Sequence, residues 1–229
     1  MSKKIIYSLL LLLLVVTWVW AAIEPVHPDD WLLENILVFI VVPLLLLWSR
    51  SFEFSILSYT LITIFLVLHL IGSHYTYAEV PWGVTLGEWW GTDRNMYDRF
   101  VHFLFGLLFI YPIREISVRI AKNRGFWGYF VPFMIVSALA GFYEVIEWST
   151  AVLVDPDAGT AFLGTQGDIW DAQKDMLIAM VGAIITLTIV MIFNMIFDKG
   201  FFKEFGESFH LPKDDKPLGE VKVEELWER

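Results

Sequence analysis

Cysteine is absent from the 229 residues, which removes disulfides, thiolate metal ligands and Cys nucleophiles together. Charge is scarce as well, with Asp, Glu, Lys and Arg making up 18% of the chain. Against 57% hydrophobic residues and a mean hydropathy of +0.60, that scarcity excludes a soluble globular protein. There is no internal repeat, low-complexity tract, phosphate-cradling Gly loop or basic stripe, so nucleic-acid partners are not expected. What is abundant is aromatic, 17% of residues with 11 Trp and 19 Phe, as in chains that meet membrane–water interfaces repeatedly. A net charge of −10 in a chain with so little water-facing surface raises the question of where that charge sits.

A helix needs about 20 apolar residues to cross a hydrocarbon core. Runs of that kind lie at about Ile5–Ile23, Trp31–Trp48, Phe54–Gly72, Phe100–Ile120, Phe126–Val154 and Met176–Phe197. They are continuous rather than alternating, which disfavours β-barrel strands. The expected fold is all-α, a polytopic membrane bundle of about six helices in the cytoplasmic membrane. Residues 1–23 form an N-terminal anchor, with a cleavable signal peptide as the alternative reading. Residues 24–197 form the membrane core with two outer loops, 73–99 and 155–175, and 198–229 form a charged cytoplasmic tail that opens with a short interfacial helix.

Basic residues set the orientation. With both termini cytoplasmic, thirteen of the sixteen Lys and Arg fall inside, and only Arg94, Arg99 and Lys174 fall outside. Of the 26 acids, fifteen are then outside and eleven inside. The net charge therefore divides into −12 outside and +2 inside.

Three acidic clusters gather at the outer boundary. Asp98 and His102 are four apart at the start of the fourth span and share a helix face. Glu144 and Glu147 are three apart in the outer part of the fifth, and Asp168, Asp171 and Asp175 lead into the sixth. Asp98, Asp168 and Asp171 also suit helix N-termini, where a carboxylate meets orphan amides and the positive end of the dipole. The two glutamates have no such excuse. They approach the negative end of an outward-running helix, and an ionisable group inside a span costs about 3 kcal/mol even on lenient scales. Protonation, Arg94, Arg99, Lys174 or a bound cation could neutralise them, with Gln173, His69 and His74 as further supporting candidates.

Carboxylates with one imidazole suit a divalent ion: Mg²⁺, Mn²⁺ or Ca²⁺ first, with Fe²⁺ and Zn²⁺ as further candidates. The expected metal set is Asp98, His102, Glu144, Glu147, Asp168, Asp171 and Asp175. A carboxylate–His proton or ion pathway and a purely structural polar network are the competing readings. Di-metal bundles use Glu-x-x-His helices, whereas this chain offers Glu-x-x-Glu and Asp-x-x-x-His.

The stretches Asp98-Arg-Phe-Val-His102-Phe, Gly141-Phe-Tyr-Glu144-Val-Ile-Glu147-Trp148 and Phe162 through Gly167-Asp168-Ile-Trp-Asp171-Ala-Gln173-Lys-Asp175-Met176 resemble the YjdF family of bacterial multi-pass inner-membrane proteins. The resemblance covers about Asp30 to Asp198. A fainter similarity is to VanZ-like membrane proteins, with Asp98/His102, Glu144 or Glu147, and Asp175 with Gly182 as counterparts. There Arg99 stands in place of a Lys and Trp148 in place of a polar residue. Neither resemblance supplies a reaction; each implies that the polar clusters belong to a recurring pattern.

Three functions remain open. A metal-dependent enzyme could act at the outer face on a small-molecule or lipid-linked substrate, with the metal polarising an oxygen or activating water. The chain shows no evident Ser nucleophile and few outer basic residues to grip phosphate. A cation or proton transporter could use the same acidic cluster. An envelope accessory protein could bind partners through Trp82, Trp89 and Trp90.

Overall fold

The computed structural model describes residues 2–153, 165–211 and Trp227. Asp155, Asp157 and the Phe162–Leu163–Gly164 part of the third matched stretch lie outside the described residues, as does most of the charged tail beyond residue 211. Among the described residues there is no β-strand, and six helices are long and apolar enough to cross a membrane. They are α1 (Lys3–Ala21), α2 (Pro28–Trp48), α3 (Ile56–Tyr75), α5 (Tyr97–Arg119), α6 (Trp127–Leu153) and α7 (Asp171–Phe197). Two shorter helices accompany them, α4 (Pro81–Trp90) and α8 (Phe201–Glu207). The protein is thus an all-α polytopic membrane bundle.

The helix boundaries follow local chemistry. Ser55 caps α3 by accepting from the Ser58 amide at 3.1 Å. Pro28 opens α2, where its missing N–H costs nothing, and Asp29 and Asp30 sit in that first turn. α4 forms part of the outer loop expected over residues 73–99. Pro81 starts it, Gly91 ends it at φ +71°, and Trp89 and Trp90 are left exposed.

Antiparallel crossing puts residues 22–27, 76–96 and 165–170 at one end of the bundle, the acidic end. Residues 49–55, 120–126 and 198–211 lie at the opposite, basic end. α1 packs along α3, and Trp18 Nε1 on α1 donates to Asn35 Oδ1 on α2 at 2.9 Å. The most extensive interface joins α5 to α7. Without hydrocarbon–water contrast to drive association, close backbone approach through small residues does the work. A Cβ added at Gly106 would overlap the Ala179 carbonyl, and one at Gly182 the Phe103 carbonyl. That contact fixes the acidic starts of α5 and α7 side by side, which is what assembles the site.

Candidate functional site

At the start of α7 the polypeptide turns sharply. Gln166 (φ +48°) and Gly167 (φ +85°) are left-handed, and the Asp168 carboxylate accepts the Trp170 amide at 3.1 Å before the helix begins at Asp171. Asp168 therefore stands in the turn that precedes the helix rather than in the helix itself. The Gln166 amide makes a two-way pairing with the backbone of Asn95: it accepts from the Asn95 N–H at 2.9 Å and donates to the Asn95 carbonyl at 3.0 Å. This clamps the turn to the segment just before α5.

Arginines fill the space between the two helices. Arg99 Nη2 lies 2.5 Å from Asp171 and 3.0 Å from Asp168, and its Nε is 3.2 Å from Asp175. Arg94 reaches Asp171 at 2.6 Å and donates to the Thr165 carbonyl at 2.5 Å. Lys174 holds Asp168 from the other side at 2.6 Å. The Lys174 ammonium, then the Trp170 amide and Arg99, press the Asp168 carboxyl down to about 2. Asp168 and Asp171 are thus committed to cations the chain itself provides.

Around His102 the balance is different. His102 Nε2 stands 3.5 Å from Asp98 and 3.6 Å from Glu144, and its side chain is 8% exposed. Those separations exceed the ~2.7–3.2 Å of an N–H···O hydrogen bond. Ligand atoms of Asp98, His102 and Asp175 lie within 4.8 Å of one another, and so do those of His102, Glu144 and Glu147. Glu144 Oε1 is buried and makes no hydrogen bond. The two triads share His102, whose Nε2 makes both of these approaches. Ligands on an ion with ~2.1–2.5 Å bonds stand ~3.0–3.5 Å apart when adjacent and ~4.2–5.0 Å when opposite. Each triad by itself fits that spacing, and the two share His102.

Of the supporting residues, Arg99 and Lys174 are in the network, whereas Gln173 is exposed on α7. His74 accepts no role at the centre: its Nδ1 sits 3.2 Å from the Ala21 carbonyl and its ring packs on Trp20. His69 belongs to a second, adjacent network. Its Nε2 faces the Glu34 carbonyl at 3.1 Å, and a carbonyl only accepts, so Nε2 carries the proton. Nδ1 then accepts from the Tyr77 hydroxyl at 2.5 Å. Burial and the nearby Glu34 carboxyl hold that hydroxyl protonated, well above its usual range. Glu34 itself is buried and accepts from the Tyr143 hydroxyl at 3.0 Å, and the Tyr143 ring packs against His102.

Sequence reasoning passed over Glu34, Tyr77, Tyr143 and Gln166. Glu34 lies near the start of the second span, and its partner is 109 residues away.

The chain matches the model of a family described as "Predicted membrane protein (DUF2238)" over residues 6–195. It is 38% identical over 195 residues to the inner membrane protein YjdF of Escherichia coli (strain K12), an alignment covering 84% of this chain and 92% of that protein. No solved structure matches. With six membrane-crossing helices and a match spanning nearly all of them, the chain belongs to this family of multi-pass inner-membrane proteins.

Proposed function

We propose that the protein is a membrane-embedded, divalent-metal-dependent enzyme acting at the outer face on a lipid-linked substrate. Asp98, His102, Glu144, Glu147 and Asp175 would hold one cation. The observation that carries this is Glu144 Oε1, a buried carboxylate oxygen with no hydrogen bond, beside an imidazole nitrogen at 3.6 Å. Native structures rarely leave such an atom bare, because an unsatisfied buried polar group costs about 1–3 kcal/mol and a charged one more. The arginines are engaged with Asp168, Asp171 and Asp175, so they do not reach it. Hard oxygen donors with one imidazole favour Mg²⁺ or Mn²⁺, with Ca²⁺, Fe²⁺ and Zn²⁺ as the other candidates.

A bound ion of this kind polarises an oxygen or lowers the pKa of water. The protein's contribution is to fix the donors: Arg99 orients Asp171 and Asp175, and the Gly106/Gly182 contact holds α5 against α7. Against transport stands the apolar layer between the centre and the basic end, where Ile110, Ile113, Val136 and Ala183 close the space among α5, α6 and α7.

The test is Mn²⁺ electron paramagnetic resonance on protein stripped with a chelator and then titrated. A saturable, six-line-quenching site of one ion per chain, absent in His102→Ala, is the expected result. Manganese that binds weakly and identically to both proteins would defeat the proposal.

A further inference from the structure

A cavity of ≈ 240 Å³ adjoins the centre, and its walls come from α2, α3, α5 and α6. Leu37, Val41, Phe65, Phe105, Phe109 and Leu139 make it apolar, while His69, Tyr77, His102 and Tyr143 line its polar end. These positions lie within about fourteen residues of the acidic ends of α2, α3, α5 and α6, about 21 Å at 1.5 Å per residue, so the cavity reaches from the acidic end to about the middle of the membrane-crossing helices.

Its mouth faces sideways. α2 packs on α3 and forms no substantial interface with α6, although the two helices are joined at one point by the Tyr143–Glu34 hydrogen bond. The α6 residues on this wall, Leu139, Phe142 and Ile146, are 44%, 66% and 59% exposed in the middle of a membrane-crossing helix. An apolar opening at that depth meets lipid chains and nothing else. The volume exceeds the ~150 Å³ apolar cavity that takes up benzene and falls below the ~300 Å³ of pockets for whole drug-sized ligands. It suits a stretch of hydrocarbon chain rather than a compact soluble metabolite.

We infer that this cleft between α2 and α6 is the lateral entry and binding site for the hydrocarbon chain of a membrane lipid, whose polar end is brought to His102 and Tyr143. The inference rests on the proposed metal centre only for what happens to the polar end; chain binding stands on the cleft alone. His102 is shared by both, lining the cavity and standing 3.6 Å from Glu144. The chain would therefore be measured against the centre by its length, and the Glu34–Tyr143 hydrogen bond would form the rim it passes.

The experiment uses the full chain in proteoliposomes with two probes, a phosphatidylglycerol bearing a diazirine midway along one acyl chain and a polyprenyl phosphate bearing a diazirine in its chain. After irradiation, labelled residues are mapped by mass spectrometry. Labelling by one probe concentrated on Val41, Phe105, Phe109 and Leu139, and reduced about tenfold in Ala140→Trp, is expected; the probe that labels separates acyl from prenyl chains. Ala140 is buried in the cavity wall, so Leu139→Trp, at the partly exposed mouth, serves as the second variant should Ala140→Trp not fold. Labelling by both probes spread evenly over lipid-facing positions such as Ile184 and Ile189, and unchanged by either variant, would overturn the inference. Glu144→Ala separates the two ideas, since Glu144 does not line the cavity: labelling kept while Mn²⁺ binding is lost is expected, and labelling lost together with the metal would overturn chain binding by the cleft alone.

Discussion

Two glutamates on the membrane helices sit in opposite circumstances. Glu115, near the basic end of α5, is saturated: it accepts from the Ser55 amide at 2.9 Å and hydroxyl at 2.9 Å, from the Ser58 hydroxyl at 2.5 Å, and pairs with Arg119. Its role is to staple the start of α3 to the end of α5. Glu144, near the acidic end of α6, has one oxygen buried and bare, with carboxylates and an imidazole for neighbours. A carboxylate that holds a fold together finds donors for both oxygens; one with an oxygen left buried and bare is open to a cation that the chain does not itself supply. Asp168 and Asp171 fall between these extremes, with arginine and lysine as partners, whereas Asp175, although 3.2 Å from Arg99, shares with Glu144 a buried oxygen that makes no hydrogen bond.

The largest effect is expected where a buried cation is shared among acids. Arg99→Met strands Asp175 and leaves Asp171 to Arg94 alone, and removing one partner of a buried ionic network costs about 3–5 kcal/mol. Chemical unfolding in detergent micelles should show it, with Arg99→Lys recovering part of the loss because a lysine cannot fork to three carboxylates. The glutamate comparison itself is tested next. Glu115→Ala should lower stability by about 1.5–3 kcal/mol, the scale of hydrogen bonds to a charged group. Glu144→Gln, measured with chelator present, should leave the melting temperature unchanged or raised. A loss at Glu144 equal to that at Glu115 would erase the distinction drawn between them.

Smaller still is Lys174→Ala, since Lys174 is half-exposed and such pairs contribute little. Its signature is in pH dependence. The Asp168 carboxyl is depressed from its ordinary 3.8 to about 2, so its contribution is complete above about 3.8 and is lost only as pH falls through about 2. Removing the ammonium should narrow the interval between about 2 and 3.8 over which that contribution is lost, with a correspondingly small loss of stability at neutral pH, since solvent screens this exposed pair.

The membrane spans were legible because run length reports them directly, although each boundary shifted by a few residues where caps rather than hydropathy decide. α7 begins at Asp171 rather than Met176, because the turn at Gln166–Gly167 feeds the chain straight into the helix. Glu144 and Glu147 were legible through electrostatics, as charges at the wrong end of a dipole. The division of the acids between arginines and His102 was not: Arg99 and Asp171 are 72 residues apart, and it is helix packing, closest at Gly106 and Gly182, that brings their helices together. The same limit hid Glu34, Tyr77 and Tyr143, whose partners come from other helices. Gln166 escaped notice where Gln173 was considered, since its value lies in a left-handed turn and not in a helix face.

The most direct test of the centre is elemental analysis of the purified protein beside Glu144→Ala, His102→Ala and Glu115→Ala. The account expects close to one equivalent of a single divalent metal in the wild type and in Glu115→Ala, and its loss in the other two. Metal far below one equivalent in the wild type, or equal amounts in all four proteins, would contradict it.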